Sequence, residues 1–130
     1  NPGEHKILPE IISKEPLGPA VRQGDDQWFN IIKWVHFAML NAEELGVTQA
    51  NVDEMAAGEN PEIKRLLGTE GEFGTAIGLD NDWAAKVIKA VGNYGEVFER
   101  NVGPDTPLGI ARGINALWSK GGLQYGPPVR

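Results

Sequence analysis

One stretch constrains the fold more than any other. It runs from Ser13 to Gly46, SKEPLGPAVRQGDDQWFNIIKWVHFAMLNAEELG, and joins a proline-bounded segment to the longest amphipathic pattern in the sequence. Pro16 and Pro19 remove backbone donors and bias the residues before them, Glu15 and Gly18, toward extended geometry. Ala20, Val21 and Arg22 then predict a short strand, broken by Gly24. Asp25 or Asp26 supplies an acceptor for the first free amides of a helix. From Trp28 onward apolar residues recur at helical spacing: Trp28, Ile31, Ile32, Val35, Ala38, Met39, Ala42 and Leu45. Gly46 is placed to close the helix as a left-handed cap, with Val47 in the hydrophobic contact that accompanies it. A second set, Phe29, Trp34, Phe37 and Leu40, lies off that stripe. A helix apolar on most sides is buried on most sides, so this one is expected to belong to a larger body.

The remaining composition narrows the partners. With 130 residues the chain suits one domain with a real core. Lysine and arginine number 12 against 18 acidic residues, a net charge of −6 with no basic run, which argues against nucleic acid and anionic membrane surfaces. The absence of cysteine excludes disulfides, thiol catalysis and a cysteine metal site, and leaves the redox compartment open. The helix after Trp28 carries Asn30, Lys33, His36, Asn41, Glu43 and Glu44, too polar a run to span a bilayer, so a soluble chain without membrane insertion is expected. The sequence starts at Asn1 with no signal peptide, which reads as a processed or truncated product.

The rest of the chain reads as short elements between strong breaks. Asn1 to Lys6 is a polar lead-in with a Pro-Gly turn signal, and Ile7 to Ile12 predicts a short edge strand demoted by Pro9. Thr48 caps a second helix over Gln49 to Ala57, with Val52 and Met55 inward and Gly58 at its end. Asn60-Pro61-Glu62 starts a third, carrying Ile63, Leu66 and Leu67 and stopped by Gly68. Gly68, Gly71 and Gly74 mimic a phosphate loop, but no strand precedes them and no Lys or Ser/Thr follows at the required place, so Gly68 to Leu79 reads as a surface connection. Asp80-Asn81-Asp82 caps a helix whose stripe, Trp83, Ala84, Val87, Ile88, Val91, Gly95 and Phe98, reaches toward Arg100. Gly92 and Gly95 inside it each cost roughly 1 kcal/mol of helix propensity, which implies close packing or a kink. Thr106 and Pro107 start a last helix with Leu108, Ala111, Ile114, Leu117 and Trp118 inward and Lys120 near its end. Gly121-Gly122 stops it before an extended tail, LQYGPPVR.

No catalytic constellation emerges. His5 and His36 are the only histidines, and neither has metal-ligand neighbours in sequence. Glu43-Glu44 and Asp80/Asp82 are candidates for an acid and a base, but they occupy a last helical turn and a cap, where carboxylates have ordinary structural reasons to be. Ser13 and Ser119 have no histidine that the sequence pairs with them. Trp28, Trp34, Trp83 and Trp118 suggest an aromatic ligand box or, more simply, packing of helices and lobes. Arg112 suits a carboxylate ligand or a solvated, cap-bridging role.

Four long stretches carry a resemblance: ILPEIISKEPLGPAVRQGDDQWFNIIKWVHFAMLNAEELGVTQANVDEM, NPEIKRLLG, GLDNDWAAKVIKAVGNYGEVFERNVG and ARGINALWSKGGLQYGPPVR. Together they cover nearly the whole chain. It resembles the C-terminal part of the periplasmic general L-amino-acid-binding proteins that serve polar amino-acid ABC importers in proteobacteria. The resemblance implies a two-lobed α/β binding protein of the type-2 fold, periplasmic and non-enzymatic, which closes on an L-amino acid and presents it to a membrane permease. Lys14 to Arg22 matches the second strand that crosses between lobes, with Glu15, Pro16, Leu17, Gly18 and Pro19 as the hinge. The arginine and aspartate that grip the ligand in that family lie on segments with no counterpart here. No residue is therefore carried over as a ligand contact, and no catalytic residue, metal or cofactor is expected.

The expected fold is mainly α with one or two short N-terminal strands. Residues 1–24 form an extended hinge-crossing segment, and residues 25–130 the helical C-terminal part of the first lobe plus a tail. Helices shaped for a sheet that this chain mostly lacks would leave apolar surface open, at roughly 25 cal/mol per Å². The expected partners are thus the missing N-terminal part of the parent, or a second copy through Trp28 to Leu45 or Trp83 to Phe98, including exchange of the Ser13 to Arg22 arm. The rival readings are a self-standing helical protein-protein interaction module and, more weakly, a small hydrolase using the clustered acids.

Overall fold

A computed structural model of the chain describes every residue except Ile7, Ile11, Lys14 and Arg130, together with the side chain of Pro2. Among the described residues five α-helices follow in order: α1 Asp26–Glu44, α2 Val52–Ala56, α3 Pro61–Leu67, α4 Trp83–Val91 and α5 Tyr94–Val102. Single 3-10 turns occur at Pro2–Glu4, Thr75–Ile77, Gly113–Asn115 and Trp118–Lys120. No strand forms among the described residues, where the only ladder contact is an isolated parallel bridge between Leu117 and Gln124. The chain is mainly helical, as expected. The strand anticipated at Ala20–Arg22 is absent because nothing in the described chain offers it an edge to pair with. The one anticipated at Ile7 to Ile12 falls partly on Ile7 and Ile11, outside the described residues.

Local chemistry fixes both ends of α1. The Asp25 side chain accepts from the Trp28 amide at 3.0 Å. At the other end Gly46 adopts φ 72°, its amide donates to the Glu43 carbonyl, and the Val47 amide donates to the Ala42 carbonyl at 2.8 Å. This pair of bonds is a Schellman closure, and Val47 is completely buried behind it. Helix α3 is bounded as its sequence predicts. The Asn60 side chain accepts from the amides of Glu62 and Ile63, Pro61 opens the first turn, and Gly68 closes with φ 77°.

The core is one cluster: Ala38 and Ala42 of α1, Val47, Val52, Ile63, Leu66 and Leu67 of α3, and Trp83, Ala84 and Ile88 of α4. Helix α1 touches α3, α4 and α5 and is the central element. The anticipated single helix from Trp83 to Arg100 is two. Gly92 takes φ 84°, which ends α4, and Asn93 caps α5 in a reciprocal box with Glu96. Asn93 Nδ2 also donates to the Val47 carbonyl at 2.8 Å, and the Gln49 amide donates to Glu96 at 3.1 Å. The break is thereby stitched to the loop that follows α1.

The last helix, anticipated from Thr106 to Lys120, does not form. Gly109 and Gly113 sit at φ 60° and 48°, and the backbone turns back on itself instead. Trp118 donates to the Gln124 carbonyl, Gln124 to Ala116 and Leu123 to Ile114. Of the residues assigned inward, only Leu117 is buried, whereas Leu108, Ile114 and Trp118 are more than half exposed. The irregular tail then docks on α1: Asn41 Nδ2 donates to the Pro127 carbonyl at 2.8 Å, and Val129 packs against the core.

Gly68 combines a left-handed backbone with a lack of space, since a Cβ there would drive into the Asn81 carbonyl. Gly24 shares the backbone, φ 86°, but faces open space. Gly68→Ala is expected to lower unfolding free energy by about 2–4 kcal/mol and Gly24→Ala by about 1 kcal/mol. Urea midpoints of the two variants check the order.

Candidate functional site

The anticipated hinge, Glu15, Pro16, Leu17, Gly18 and Pro19, is exposed irregular chain with no secondary structure. Among the described residues, none makes a hydrogen bond with the backbone of 15–21. Two prolines hold φ there without help from neighbours. The segment ends beside α1, where Pro19 and Val21 join Phe29, Ile32, Lys33, His36 and Phe37 around an open apolar depression of about 220 Å³. Lys33 Nζ lies 5.2 Å from the Phe29 ring centroid while donating to Asn30 Oδ1. His36 meets the Tyr94 ring edge-on at 5.7 Å, and burial lowers its pKa below the ordinary 6.5. Burial likewise raises the Tyr94 phenol, with the nearby Arg112 opposing.

The polar residues converge at a second place, where α1 ends against α5 and the tail. Arg112 Nη2 donates to Glu43 Oε2 at 3.0 Å and to the Asn115 carbonyl at 3.1 Å. Its guanidinium also lies 5.3 Å from the ring centroids of both Tyr94 and Phe98. Gly95 makes room for this: a Cβ there would stand 2.9 Å from Arg112 Nη1 and 3.0 Å from Glu43 Cδ. Glu44 accepts from Trp118 Nε1 at 3.2 Å. Glu43 and Glu44 are therefore not simply residues of a last helical turn; they anchor the tail. Arg112 does bind a carboxylate, an internal one. Sequence reasoning missed the cluster because its members are 69 positions apart, with only Gly95 inside an apolar stripe as a signal.

The other candidates separate. Asp80 and Asp82 do not cap α4 with their side chains; both reach Lys86 at 2.8 Å, an exposed triplet that draws the Asp80 pKa down and pushes Lys86 up to about 12. Trp83 is buried, while Trp28 and Trp118 are about half exposed, so the four tryptophans do not assemble a box. Among the described residues no three His, Asp or Glu side chains converge as a metal site, and no helix is long and apolar enough to cross a membrane. A further hollow of about 210 Å³ lies between the end of α1, α3 and the tail, with Glu44, Glu62, Arg65, Trp118 and Tyr125 on its wall.

Comparison with known proteins bears on all of this. No protein-family model matches the chain. Its full length is 70% identical to the general L-amino acid-binding periplasmic protein AapJ of Rhizobium johnstonii, of which it covers 39%. It is 59% identical to the glutamate/glutamine/aspartate/asparagine-binding protein BztA of Rhodobacter capsulatus, again over 39% of that protein. An ABC-transporter periplasmic binding protein from Brucella ovis, solved with glutathione bound, fits the whole chain with a TM-score of 0.95 at 64% identity. The chain is homologous to part of a periplasmic amino-acid-binding protein. It spans about two-fifths of the relatives it matches, 39% of AapJ and 41% of the Brucella chain. Its mainly helical fold is thus that of a lobe fragment in these amino-acid-binding proteins.

Two measurements follow from the polar cluster and its neighbour. Glu43 and Arg112 keep only 9% and 18% of their side chains exposed, so Glu43→Gln or Arg112→Met alone is expected to destabilise by about 2–3 kcal/mol, each leaving the other charge poorly satisfied. A double-mutant cycle is expected to return a coupling above about 1 kcal/mol. His36 takes a proton more readily in the unfolded chain than in the folded one, so acidification below pH 6.5 favours unfolding through it. His36→Gln is expected to shrink the loss of stability between about pH 7 and pH 5, read from urea midpoints at both pH values.

Proposed function

We propose that the chain is the scaffold- and hinge-bearing C-terminal part of the amino-acid-binding component of an ABC importer, periplasmic and without enzymatic activity. End-to-end identity of 59–70% to amino-acid-binding proteins carries this reading. Residues 1–24 are the segment that crosses between lobes, and residues 25–130 are the helical part of the first lobe with its tail. The intact parent takes an L-amino acid and delivers it to a membrane permease. Glutathione, the molecule bound in the Brucella relative, keeps a free α-amino and α-carboxylate on its γ-linked glutamate. An α-amino-acid headgroup is therefore the ligand chemistry common to these names.

In this reading the ligand-gripping residues belong to the remaining three-fifths of the parent. This chain contributes the surface on which that part rests and the joint about which it swings. The proline pair is suited to the joint: without hydrogen bonds from described residues, Glu15 to Pro19 is still narrowed in its backbone states by Pro16 and Pro19. A hybrid in which this chain replaces the matching segment of AapJ tests the assignment. It is expected to bind L-amino acids by calorimetry, and a folded hybrid without binding would end the reading. In that hybrid Pro16→Gly with Pro19→Gly is expected to weaken binding by about 1 kcal/mol, roughly fivefold, as freedom in the open state must be lost on closure. Unchanged affinity and closure rate would remove the hinge role.

A further inference from the structure

Between Asp26 and Val129 every lysine and arginine side chain but one forms a hydrogen bond or an ion pair with a described residue. The exception is Arg65, half-buried in the last turn of α3 and without such a partner among the described residues. A cation there suits the helix dipole, but Lys64 already supplies one and also holds Glu59. The dipole therefore accounts for a charge, and not for a guanidinium on the wall of a hollow.

That hollow, of about 210 Å³, is built from two matching rows. Asn41, Glu44 and Leu45 are spaced i, i+3 and i+4 at the end of α1, and Glu62, Arg65 and Leu66 repeat the spacing on α3. The rows bring opposite charges, Glu44 and Arg65, to one cavity, yet no ion pair joins them. Trp118 Nε1 holds Glu44 through Oε1, and Oε2 has no donor among the described residues. The Tyr125 hydroxyl has no described partner either, and its ring meets Trp118 edge-on at 6.0 Å. Leu45, Leu66 and Val129 make the wall partly apolar. The volume lies below the roughly 300–1,000 Å³ of drug-sized ligand sites, so an occupant must be small. With Glu62 the wall carries two carboxylates to one guanidinium, which disfavours a dianion and favours an occupant that brings a cation as well as an anion.

We propose that this hollow binds a small zwitterion, its carboxylate on Arg65 and its ammonium on Glu44 beside the Trp118 and Tyr125 rings. A planar guanidinium matches a carboxylate, and aromatic rings next to a carboxylate suit an ammonium. A molecule held in this way spans α1, α3 and the tail, and so pins the tail to both helices. The site consists of residues of this chain alone and does not depend on the functional reading above.

Titration of the 130-residue chain with L-alanine, 4-aminobutyrate and 6-aminohexanoate, followed by calorimetry and amide NMR, tests the site. Butyrate and butylamine, which carry one charge each, are the comparison. At least one zwitterion is expected to bind about tenfold or more tighter than either of them, and to shift the amides of Leu45, Leu66, Trp118 and Tyr125. Arg65→Gln, checked for retained helicity, is expected to weaken that binding about tenfold or more, with Arg65→Lys keeping part of it. Glu44→Gln, which retains an acceptor for Trp118, is expected to weaken it to a similar extent. Arg22→Gln, at an exposed cation outside the hollow, is expected to leave it unchanged. No binding by any zwitterion, equal binding of butyrate or butylamine, amide shifts confined to residues outside the hollow, or indifference to Arg65→Gln would overturn the proposal.

Discussion

Small side chains at Ala38 and Ala42 allow α1 to act as the post around which this structure is built. Both are fully buried, and they let Trp83, Ala84 and Ile88 of α4 and the leucines of α3 gather on one stretch of helix. Leu40, Leu66, Leu67, Ile88, Leu117 and Val47 are also fully buried, each contributing about 1.5–3 kcal/mol by leaving water. The loops then add direction to that non-directional attraction. Asn93 to Val47, Gln49 to Glu96 and Asn41 to Pro127 each tie a distant segment to the post or to the loop leaving it. Larger residues at either alanine would push the outer helices away and lengthen every one of these bonds.

The same helix is apolar beyond what the described residues cover. A free-standing helical module would be expected to place polar residues on the face it turns to water, yet Trp28 and Phe29 occupy that face near the start of α1. The proline-bounded segment beside it has main chain that pairs with no described residue. Neither feature is strained or destabilising by itself in water. Together they leave the start of α1 with more apolar surface than the described residues cover.

How far the sequence could be read depended on whether a residue acts on near or far neighbours. The ends of α1 and α3 were legible because Asp25, Gly46, Asn60, Pro61 and Gly68 act within one helical turn of themselves. The break at Gly92 was half legible: the propensity penalty was evident, but Asn93 and Glu96, spaced as a capping box, were the stronger sign and were read as helix interior. From Thr106 to Lys120 the apolar spacing was helical and the fold is not. Periodicity cannot register that Gly109 and Gly113 take left-handed conformations, nor that the returning tail captures the carbonyls of Ala116 and Ile114. The short strand at Ala20 to Arg22 failed for a related reason. Strand propensity describes a surface to be paired, and no described residue pairs with it. The excess apolarity of α1 is visible in the exposure of Trp28 and Phe29, whereas the hinge at Glu15 to Pro19 rests on the family resemblance alone.

The Arg112–Glu43 pair shows why the tail needs polar anchoring at all. After α5 the chain has few apolar side chains that reach the core, chiefly Leu117 and Val129, while Leu108, Ile114, Leu123 and Tyr125 lie largely in solvent. Burial of two side chains holds a segment down but does not choose its register, since sliding by a residue or two would bury others as well. A guanidinium within 5.3 Å of two aromatic ring centroids and bonded to one carboxylate has few good positions. Hydrophobic replacements of the pair could match its net stability, because desolvation offsets much of the ionic attraction. They would not match its directionality. The ion pair is therefore best understood as setting where the tail lies on α1, and with it the positions of Trp118 on Glu44 and of Pro127 on Asn41.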